Sequence, residues 1–268
     1  MSHVIMYSGG IGSWMTAKRV IDQYGPEMVT LLFADVKGNE DNPYLGEDED
    51  CYRFIRETAE KFGAELVWLN EGRNIWQVFK DDRFLGNSRL ANCSKFLKQK
   101  PCREWLDKNT TPGTCTVYVG IDWTESHRLP AIEKSYYPYI AKAPLTEPPY
   151  VDKQQMLDAC RGWGVEPPRM YREGWPHANC SAACVRGGQA QWRKLLEIRP
   201  DAYRFHEAKE QELRDYLGKD VSILKDRTGG RSVPLTLRAF RERQESGQES
   251  LFDDLDWGGC GCFVEESA

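Results

Sequence analysis

The sequence predicts an α/β protein with a doubly wound, mostly parallel sheet and a smaller helical C-terminal unit that carries cysteines. Short, continuous apolar runs alternate with segments whose apolar residues repeat at helical spacing, as in βαβ proteins. The first run breaks into a glycine-rich turn, and a proline-rich stretch at residues 144–149 ends the alternation. We therefore predict two units, an α/β domain at residues 1–145 and a helical unit at 146–268.

The composition is that of a globular protein with a full core. The chain has 268 residues, of which 40% are hydrophobic and 29% are charged. A formal net charge of −5 argues against a uniformly basic nucleic-acid binder. No apolar stretch is long enough to span a bilayer, and the chain begins directly with a strand, so we expect a cytoplasmic protein with no membrane partner. Nine cysteines in this context suggest thiols or metal ligands more than disulfides.

The first strand and helix enclose a turn suited to an anion. Val4–Tyr7 has the apolar character of a buried parallel strand, and Trp14–Gln23 has apolar residues at helical spacing. A glycine-rich turn at a helix N-terminus leaves backbone N–H groups that can bind phosphate. A purely structural strand-to-helix turn is the alternative. The candidate ligands are Ser8, Gly9, Gly10, Gly12 and Ser13.

The second strand, Met28–Ala34, ends at an acid. Asp35 is positioned to accept hydrogen bonds from a ribose or to lie near an adenine, and capping a loop is an equal alternative. The elements that follow are an acidic loop expected to cover the site, a helix ended by Gly63, and a third strand: Lys37–Asp50, Tyr52–Phe62 and Glu65–Leu69.

Two later segments carry charged residues beside the predicted sheet. Cys93–Pro101 contains lysines that would suit a polyanion or form a solvated helix face. Thr116–Ile121 is predicted as the fourth strand, and acids and bases follow it at the sheet edge where open α/β sheets place ligands. These residues are Asp122, Glu125, His127 and Arg128.

Three motifs in this order resemble a known superfamily. Ser8–Ser13 is similar to the Ser-Gly-Gly-x-Asp-Ser signature of the PP-loop ATP pyrophosphatases, the adenine nucleotide alpha hydrolases. Cys-Ser-x-x-Leu-Lys-x-x-Pro at Cys93–Pro101 and Gly-Ile-x-x-x-Glu-Ser-x-Arg at Gly120–Arg128 resemble later motifs of the phosphoadenosine phosphosulfate (PAPS) reductase family within it. The resemblance covers about residues 1–215 and departs at Gly12, where the family usually has an acid near the pyrophosphate and its magnesium.

The resemblance implies ATP with Mg²⁺ as the ligand of the first turn. It also implies that Lys98 and Arg128 contact phosphates and that Glu125 positions the substrate or the metal. Cys93 is a further candidate, as a metal ligand or as a sulfur-handling nucleophile.

The C-terminal unit is predicted to be helical. Tyr136–Ile140 is interpreted as the last strand of the sheet, just before the proline-rich stretch. The helices predicted after it are Asp152–Trp163, Gln191–Ile198, Ala202–Leu217 and Leu235–Arg243, and an acidic linker, Glu245–Asp256, follows.

Four cysteines of this unit form a candidate metal site. Cys180 and Cys184 precede the helices, and Cys260 and Cys262 lie in a glycine-rich tail with no apolar pattern to hold it in place. Four thiolates would bind a soft metal centre, either an iron-sulfur cluster or zinc. The spacings differ from zinc ribbons and some PAPS reductase relatives carry a four-iron, four-sulfur cluster, so we favour the cluster. Free thiols or a redox-active tail pair are the alternatives, and His177 is a further ligand or a hydrogen-bonded structural group.

The resulting hypothesis is an enzyme that cleaves the bond between the α and β phosphates of ATP and adenylates a substrate. A sulfur or nitrogen nucleophile would then displace AMP. The partners consistent with it are an adenine nucleotide, a nucleic acid or small molecule as acceptor, a sulfur-donor protein, and a second copy in a homodimer. The alternatives are a reductase of PAPS-like sulfonucleotides and a nucleotide-binding sensor without catalysis.

Overall fold

The central sheet lies in the N-terminal half of the chain. A computed structural model of the protein describes residues 1–87, 90–227, 231–247 and 256–258. In this part, five parallel strands form one sheet in the order β3-β2-β1-β4-β5. The strands are β1 (Ser2–Met6), β2 (Val29–Asp35), β3 (Glu65–Asn70), β4 (Cys115–Tyr118) and β5 (Ile140–Lys142). The predicted α/β fold with a parallel sheet is confirmed.

Helices cover both faces of this sheet and are the main regular elements of the C-terminal half. Those longer than one or two turns are α1 (Ile11–Tyr24), α2 (Glu49–Phe62), α3 (Ile75–Asp81), α4 (Lys100–Asn109), α5 (Leu129–Tyr136), α6 (Lys153–Gly162), α7 (Gln189–Ile198), α8 (Pro200–Leu217) and α9 (Leu237–Glu245). A two-stranded antiparallel hairpin, β6 (Leu224–Asp226) and β7 (Val233–Leu235), precedes α9. No helix in the described ranges combines the length and the apolar composition that crossing a bilayer requires.

The central strand β1 explains the two-sided core. Successive side chains of a strand point to opposite faces. Ile5 and Tyr7 pack with α1, α2 and α6, whereas Val4 and Met6 pack with α4 and α5 on the other face. Both faces are therefore buried, as the continuous apolar run predicts.

A third apolar cluster joins the C-terminal helices to the first half of the chain. Trp76 and Phe79 of α3 pack with Trp192 of α7, Tyr203 of α8 and Phe240 of α9. Helix α6 in turn packs on α1. Apolar contacts thus join the two sides of residue 145, and the division into two units at that residue stays a prediction.

Two predicted elements differ from the structure. The strand predicted at Tyr136–Ile140 is wrong: residues 129–136 form α5, and the strand is Ile140–Lys142. Ile132 and Tyr136 are both buried and are four residues apart, which is the spacing of one helical face. Because Ile132 precedes the apolar run at residues 136–140, this spacing is not visible within the run that suggested a strand. The acidic loop is also shorter than predicted, because the Asp48 carboxylate accepts a hydrogen bond from Asp50 N and caps α2, which begins at Glu49.

Candidate functional site

A cavity opens where the strand order reverses, between the carboxyl ends of β1 and β4. Open α/β sheets bind their ligands at this position. The glycine turn, the segment after β4, and residues that follow β5 contribute to its wall. The polar and glycine residues that line it are Ser8, Gly10, Gly12, Ser13, Lys98, Gly120, Asp122, Glu125, Arg128, Lys153, Tyr171, His177 and Asn179.

The glycine turn is fixed by contact with the backbone that follows β4. A Cβ atom at Gly12 would lie 2.6 Å from the carbonyl oxygen of Gly120, and one at Gly120 would lie 2.6 Å from Ser13 N. Neither position therefore accepts a side chain without displacing backbone. An acid at position 12, as in the PP-loop signature, would therefore require the backbone after β4 to shift.

The backbone N–H groups of the turn are directed at hydroxyl oxygens. Ser8 N and Ser8 Oγ lie 3.3 and 3.2 Å from Ser13 Oγ, and Gly10 N donates to Ser8 Oγ at 3.3 Å. Ile11 N, at the start of α1, donates to Tyr171 Oη at 2.9 Å. Donors that converge at a helix N-terminus form the type of site that binds phosphate. Gly9 lies behind this surface, where its φ of 75° is readily adopted by glycine.

Lys98 enters the cavity wall from a π-helical turn, Lys95–Gln99, that precedes α4. Its Nζ lies 3.0 Å from Oε1 of Glu47, and the two side chains are only 6% and 1% exposed. The other carboxylate oxygen of Glu47 accepts a hydrogen bond from Cys180 N. Glu47 was missed by the sequence reasoning because it lies in an acidic run, residues 47–50, that is typical of a solvated loop.

The segment after β4 contributes an acid and a base. Residues 123–128 form a 3₁₀ turn that Asp122 caps by accepting a hydrogen bond from Thr124 N at 2.8 Å. The guanidinium of Arg128 pairs with the carboxylate of Glu125, and both side chains line the cavity. The structure therefore brings Lys98, Glu125 and Arg128 to the cavity that the glycine turn lines, and their roles toward phosphates and substrate stay predictions.

His177 also lines the cavity. Desolvation by the surrounding protein and the nearby Lys153 ammonium lower the pKa of His177, so its ring is neutral at pH 7. Its ring makes no hydrogen bond with any residue in the described ranges, which differs from the structural role weighed for it. A neutral imidazole facing a cavity is available to a ligand.

Asp35 and Cys93 lie outside this cavity. The Asp35 carboxylate accepts hydrogen bonds from Tyr52 Oη at 2.6 Å, Lys37 N at 3.0 Å and Trp68 Nε1 at 3.3 Å. Cys93 is half-buried and packs against the apolar cluster around α3. Their predicted roles in nucleotide binding and catalysis stay predictions.

Cys180 and Cys184 lie on one strained turn, which we call the cysteine turn (residues 180–184). Cys180, Ser181 and Ala182 have φ values of 47°, 49° and 70°, a left-handed conformation that is unfavourable for residues other than glycine. A hydrogen bond between the two thiols and burial raise the pKa of Cys180 well above its usual value. Strain of this kind persists only where the surroundings enforce it, and it is frequent at functional sites.

A second, smaller cavity adjoins the cysteine turn. Cys184, Gly187 and Trp257 line it, and His177 and Asn179 line both cavities. Gly258 forms an antiparallel bridge with Gly187, so the last described residues lie beside this turn. The predicted ligands Cys260 and Cys262 lie outside the described residues. Within the described ranges, no three His, Cys, Asp or Glu side chains are grouped as a metal site.

Comparisons with known proteins find a likeness in structure but not in sequence. No protein-family model and no curated protein matches the sequence. Among solved structures, the chain is similar to the phosphate complex of phosphoadenylyl-sulfate (PAPS) reductase from Candida auris. The two share 15% sequence identity, the match covers 65% of this chain and 77% of that chain, and the TM-score is 0.42.

Proposed function

We propose that the protein is an enzyme that binds ATP with its phosphates over the Ser8–Ser13 turn and cleaves the bond between the α and β phosphates. The observation that supports this most directly is the convergence of the α1 N-terminus, Lys98 and Arg128 on one cavity at the switch point of the sheet. The cavity holds about 130 Å³, less than the roughly 300 Å³ or more of pockets that enclose a whole ligand. The cavity is therefore large enough for the phosphates of ATP, and the nucleoside would lie at its open side.

The chain's own groups supply the electrostatic part of the reaction. An oxygen of the substrate attacks the α-phosphorus, the bond to the β-phosphate oxygen breaks, and pyrophosphate leaves with the bonding electrons. Backbone N–H groups of the turn, Lys98 and Arg128 stabilise the charge that develops on pyrophosphate. Asp122 and Glu125 are carboxylates at the same cavity and would hold Mg²⁺, which supplies further charge stabilisation when bound.

The cysteine turn is proposed to contribute to a four-cysteine site with Cys260 and Cys262. Cys180 and Cys184 already lie on one turn, and Gly258 lies beside it. Cys260 follows Gly258 by two residues, which span at most about 7 Å. We favour a four-iron, four-sulfur cluster, with zinc as the alternative, and sulfur transfer to the adenylated acceptor as its purpose. The acceptor would be a nucleic acid or a small metabolite.

The cofactor proposal is tested by anaerobic purification followed by metal analysis and absorption spectroscopy. We expect iron and sulfide in equal amounts with broad visible absorption, lost in Cys184→Ser and retained in Cys160→Ser, which changes a buried thiol of α6. A colourless protein that contains one zinc ion would show that the four-cysteine site binds zinc and not a cluster. A protein that binds neither metal under these conditions would contradict the four-cysteine site.

The activity is tested by pyrophosphate release from ATP, with candidate nucleic acids and metabolites as acceptors. We expect Arg128→Met to slow release by about 10²–10³-fold, because it removes a charge that stabilises the leaving group. Arg172→Met is the matched control, since Arg172 is 61% exposed and pairs only loosely with Glu166 at 3.7 Å. Release of sulfite from PAPS with thioredoxin would instead support a sulfonucleotide reductase, and tight nucleotide binding without turnover would support a sensor.

A further inference from the structure

One buried carboxylate connects the nucleotide cavity with the cysteine turn. Glu47 Oε1 pairs with Lys98 Nζ at 3.0 Å, and Glu47 Oε2 accepts the hydrogen bond of Cys180 N. The Glu47 side chain is 1% exposed, so water cannot replace either partner. The residue before it contributes a further tie, because Ser181 Oγ donates to the carbonyl oxygen of Gly46 at 3.4 Å.

The two interactions of Glu47 depend on each other. A buried carboxylate is stable only while a cation and hydrogen-bond donors compensate its charge. Lys98 is the buried cation that pairs with it, and Lys98 also lines the cavity proposed for the phosphates. A polyphosphate that enters this cavity competes with Glu47 for the same ammonium group, because Coulomb attraction is strong where water is excluded.

The cysteine turn is suited to respond to such a change. Three successive left-handed residues are unfavourable relative to the right-handed conformation, and the turn keeps this conformation through contacts with its surroundings. Besides Glu47 and Gly46, Gln191 Nε2 holds the turn by donating to Ala182 O at 2.6 Å. A weaker contact at Cys180 N therefore shifts the balance toward a relaxed turn.

We propose that Glu47 is a positioning residue that couples phosphate binding beside Lys98 to the geometry of Cys180 and Cys184. The inference rests on the proposed function, because it requires a polyanion in the nucleotide cavity. Coupling of this kind is reciprocal, so a change at the cysteine turn also changes the affinity for the nucleotide.

Hydrogen exchange of the full-length protein tests the coupling. The probe is an ATP analogue with a methylene group between the α and β phosphates, which cannot be cleaved there. Protection of the peptide that contains residues 8–13 reports binding, and exchange of the Cys180 amide reports the turn. We expect the nucleotide to protect the first peptide and to accelerate exchange at Cys180 by at least about fivefold, the lower end of typical coupling.

Glu47→Gln separates the charge from the hydrogen bond. The amide oxygen of glutamine still accepts from Cys180 N, but the charge that pairs with Lys98 is lost, so we expect the nucleotide to leave Cys180 exchange unchanged. Asp48→Asn is the matched control, because this neighbouring buried acid pairs with Arg169 and Arg199 instead. We expect this variant to keep the response.

The outcomes distinguish the coupling from the activity. Protection of residues 8–13 with unchanged exchange at Cys180 in the wild-type protein would overturn the coupling alone. No protection of residues 8–13 at saturating analogue would overturn both the coupling and the proposed nucleotide site. A full response in Glu47→Gln would show that the signal bypasses Glu47 and would also overturn the inference. If Glu47→Gln does not fold, the wild-type measurement still decides.

Discussion

The glycine turn and the cysteine turn lie on either side of one cavity wall and are held by different forces. The glycine turn is fixed by backbone packing, with Gly12 pressed against Gly120. The cysteine turn has an unfavourable left-handed backbone and is held by polar contacts from other segments, chiefly Glu47. The first turn depends on the absence of side chains, and the second depends on a buried charge.

This difference predicts different sensitivities. A turn fixed by packing resists changes in charge or pH but not an added atom, because packed interiors have little free volume. A turn held by buried polar groups tolerates added atoms at its edge but not the loss of a charge partner. Three substitutions and a change of pH test these sensitivities.

Lys98→Met is expected to have the largest effect on stability, a loss of about 3–5 kcal/mol in the free energy of unfolding, because it leaves Glu47 as an unpaired buried charge. Urea unfolding measures the loss. The double variant Lys98→Met with Glu47→Gln is expected to recover most of it, since no net charge then remains buried. Equal losses in the single and double variants would show that the ion pair does not control this region.

Gly12→Asp restores the acid of the PP-loop signature and tests the packing side. We expect a loss of about 1–3 kcal/mol in the free energy of unfolding, because the new Cβ would overlap the Gly120 backbone. Nucleotide binding, measured by titration calorimetry, is expected to be lost as the turn moves. Gly10→Ala is the matched control: its Cβ would meet its nearest atoms only at 3.4 Å. Tight binding by Gly12→Asp would show that the turn is not rigid.

The sequence is sufficient to predict the sheet and the meeting of distant motifs. Continuous apolar runs indicate buried parallel strands, and a glycine at the end of α2 indicates its left-handed cap, which Gly63 adopts with a φ of 67°. Glu125 and Arg128 reach the cavity beside the glycine turn because β1 and β4 end at one edge of the sheet, whereas Lys98 comes from the helical segment between β3 and β4. Local periodicity and one general rule of topology account for Glu125 and Arg128 but not for Lys98.

The contacts that hold the cysteine turn are not visible in the sequence. Glu47 and His177 lie in connecting segments and Tyr171 lies in a four-residue helix, Arg169–Arg172. The positions of all three depend on how α2 and the C-terminal helices pack. An acid in a charged run looks solvated until packing buries it, as happens to Glu47. Asp35 shows the opposite error, because an acid at a strand end suggests a ligand contact. Its carboxylate instead accepts hydrogen bonds from Tyr52 and Trp68, whose positions follow from the tertiary fold.

Acidification is expected to weaken the segment that carries Glu47. Trp76 Nε1 donates to Nδ1 of the buried His206 at 3.2 Å, so His206 Nε2–H donates to Tyr44 O, at 3.1 Å. Burial lowers the pKa of His206 to about 4, and in the unfolded chain it is about 6.5. The neutral ring therefore contributes stability that is complete above pH 6.5 and is lost as the pH falls toward 4.

The loss amounts to about 2 kcal/mol at pH 5. Urea unfolding between pH 7 and 5 measures it, and His206→Gln is expected to show a flatter pH dependence over this interval. We also expect the protection factors of the cysteine-turn amides against hydrogen exchange to fall with acidification before those of the glycine turn do. A simultaneous fall at both turns would show that the two are not held independently.

Tyr171→Phe is expected to have the smallest effect, because it removes one hydrogen bond that joins the C-terminal half to the glycine turn. Tyr171 Oη accepts from Ile11 N at 2.9 Å, in the first turn of α1. The loss of this bond is expected to lower the free energy of unfolding by about 0.5–1.5 kcal/mol. The freed N–H can then donate to a phosphate, so we expect ATP to bind about 2–10-fold more tightly in calorimetric titrations.

Tyr7→Phe is the control, since its hydroxyl bonds to Thr58 beneath the sheet and its loss is expected to leave ATP affinity unchanged. Weaker ATP binding by Tyr171→Phe would mean that the hydroxyl contacts the nucleotide itself, and the glycine turn would then also depend on a polar group from the C-terminal half.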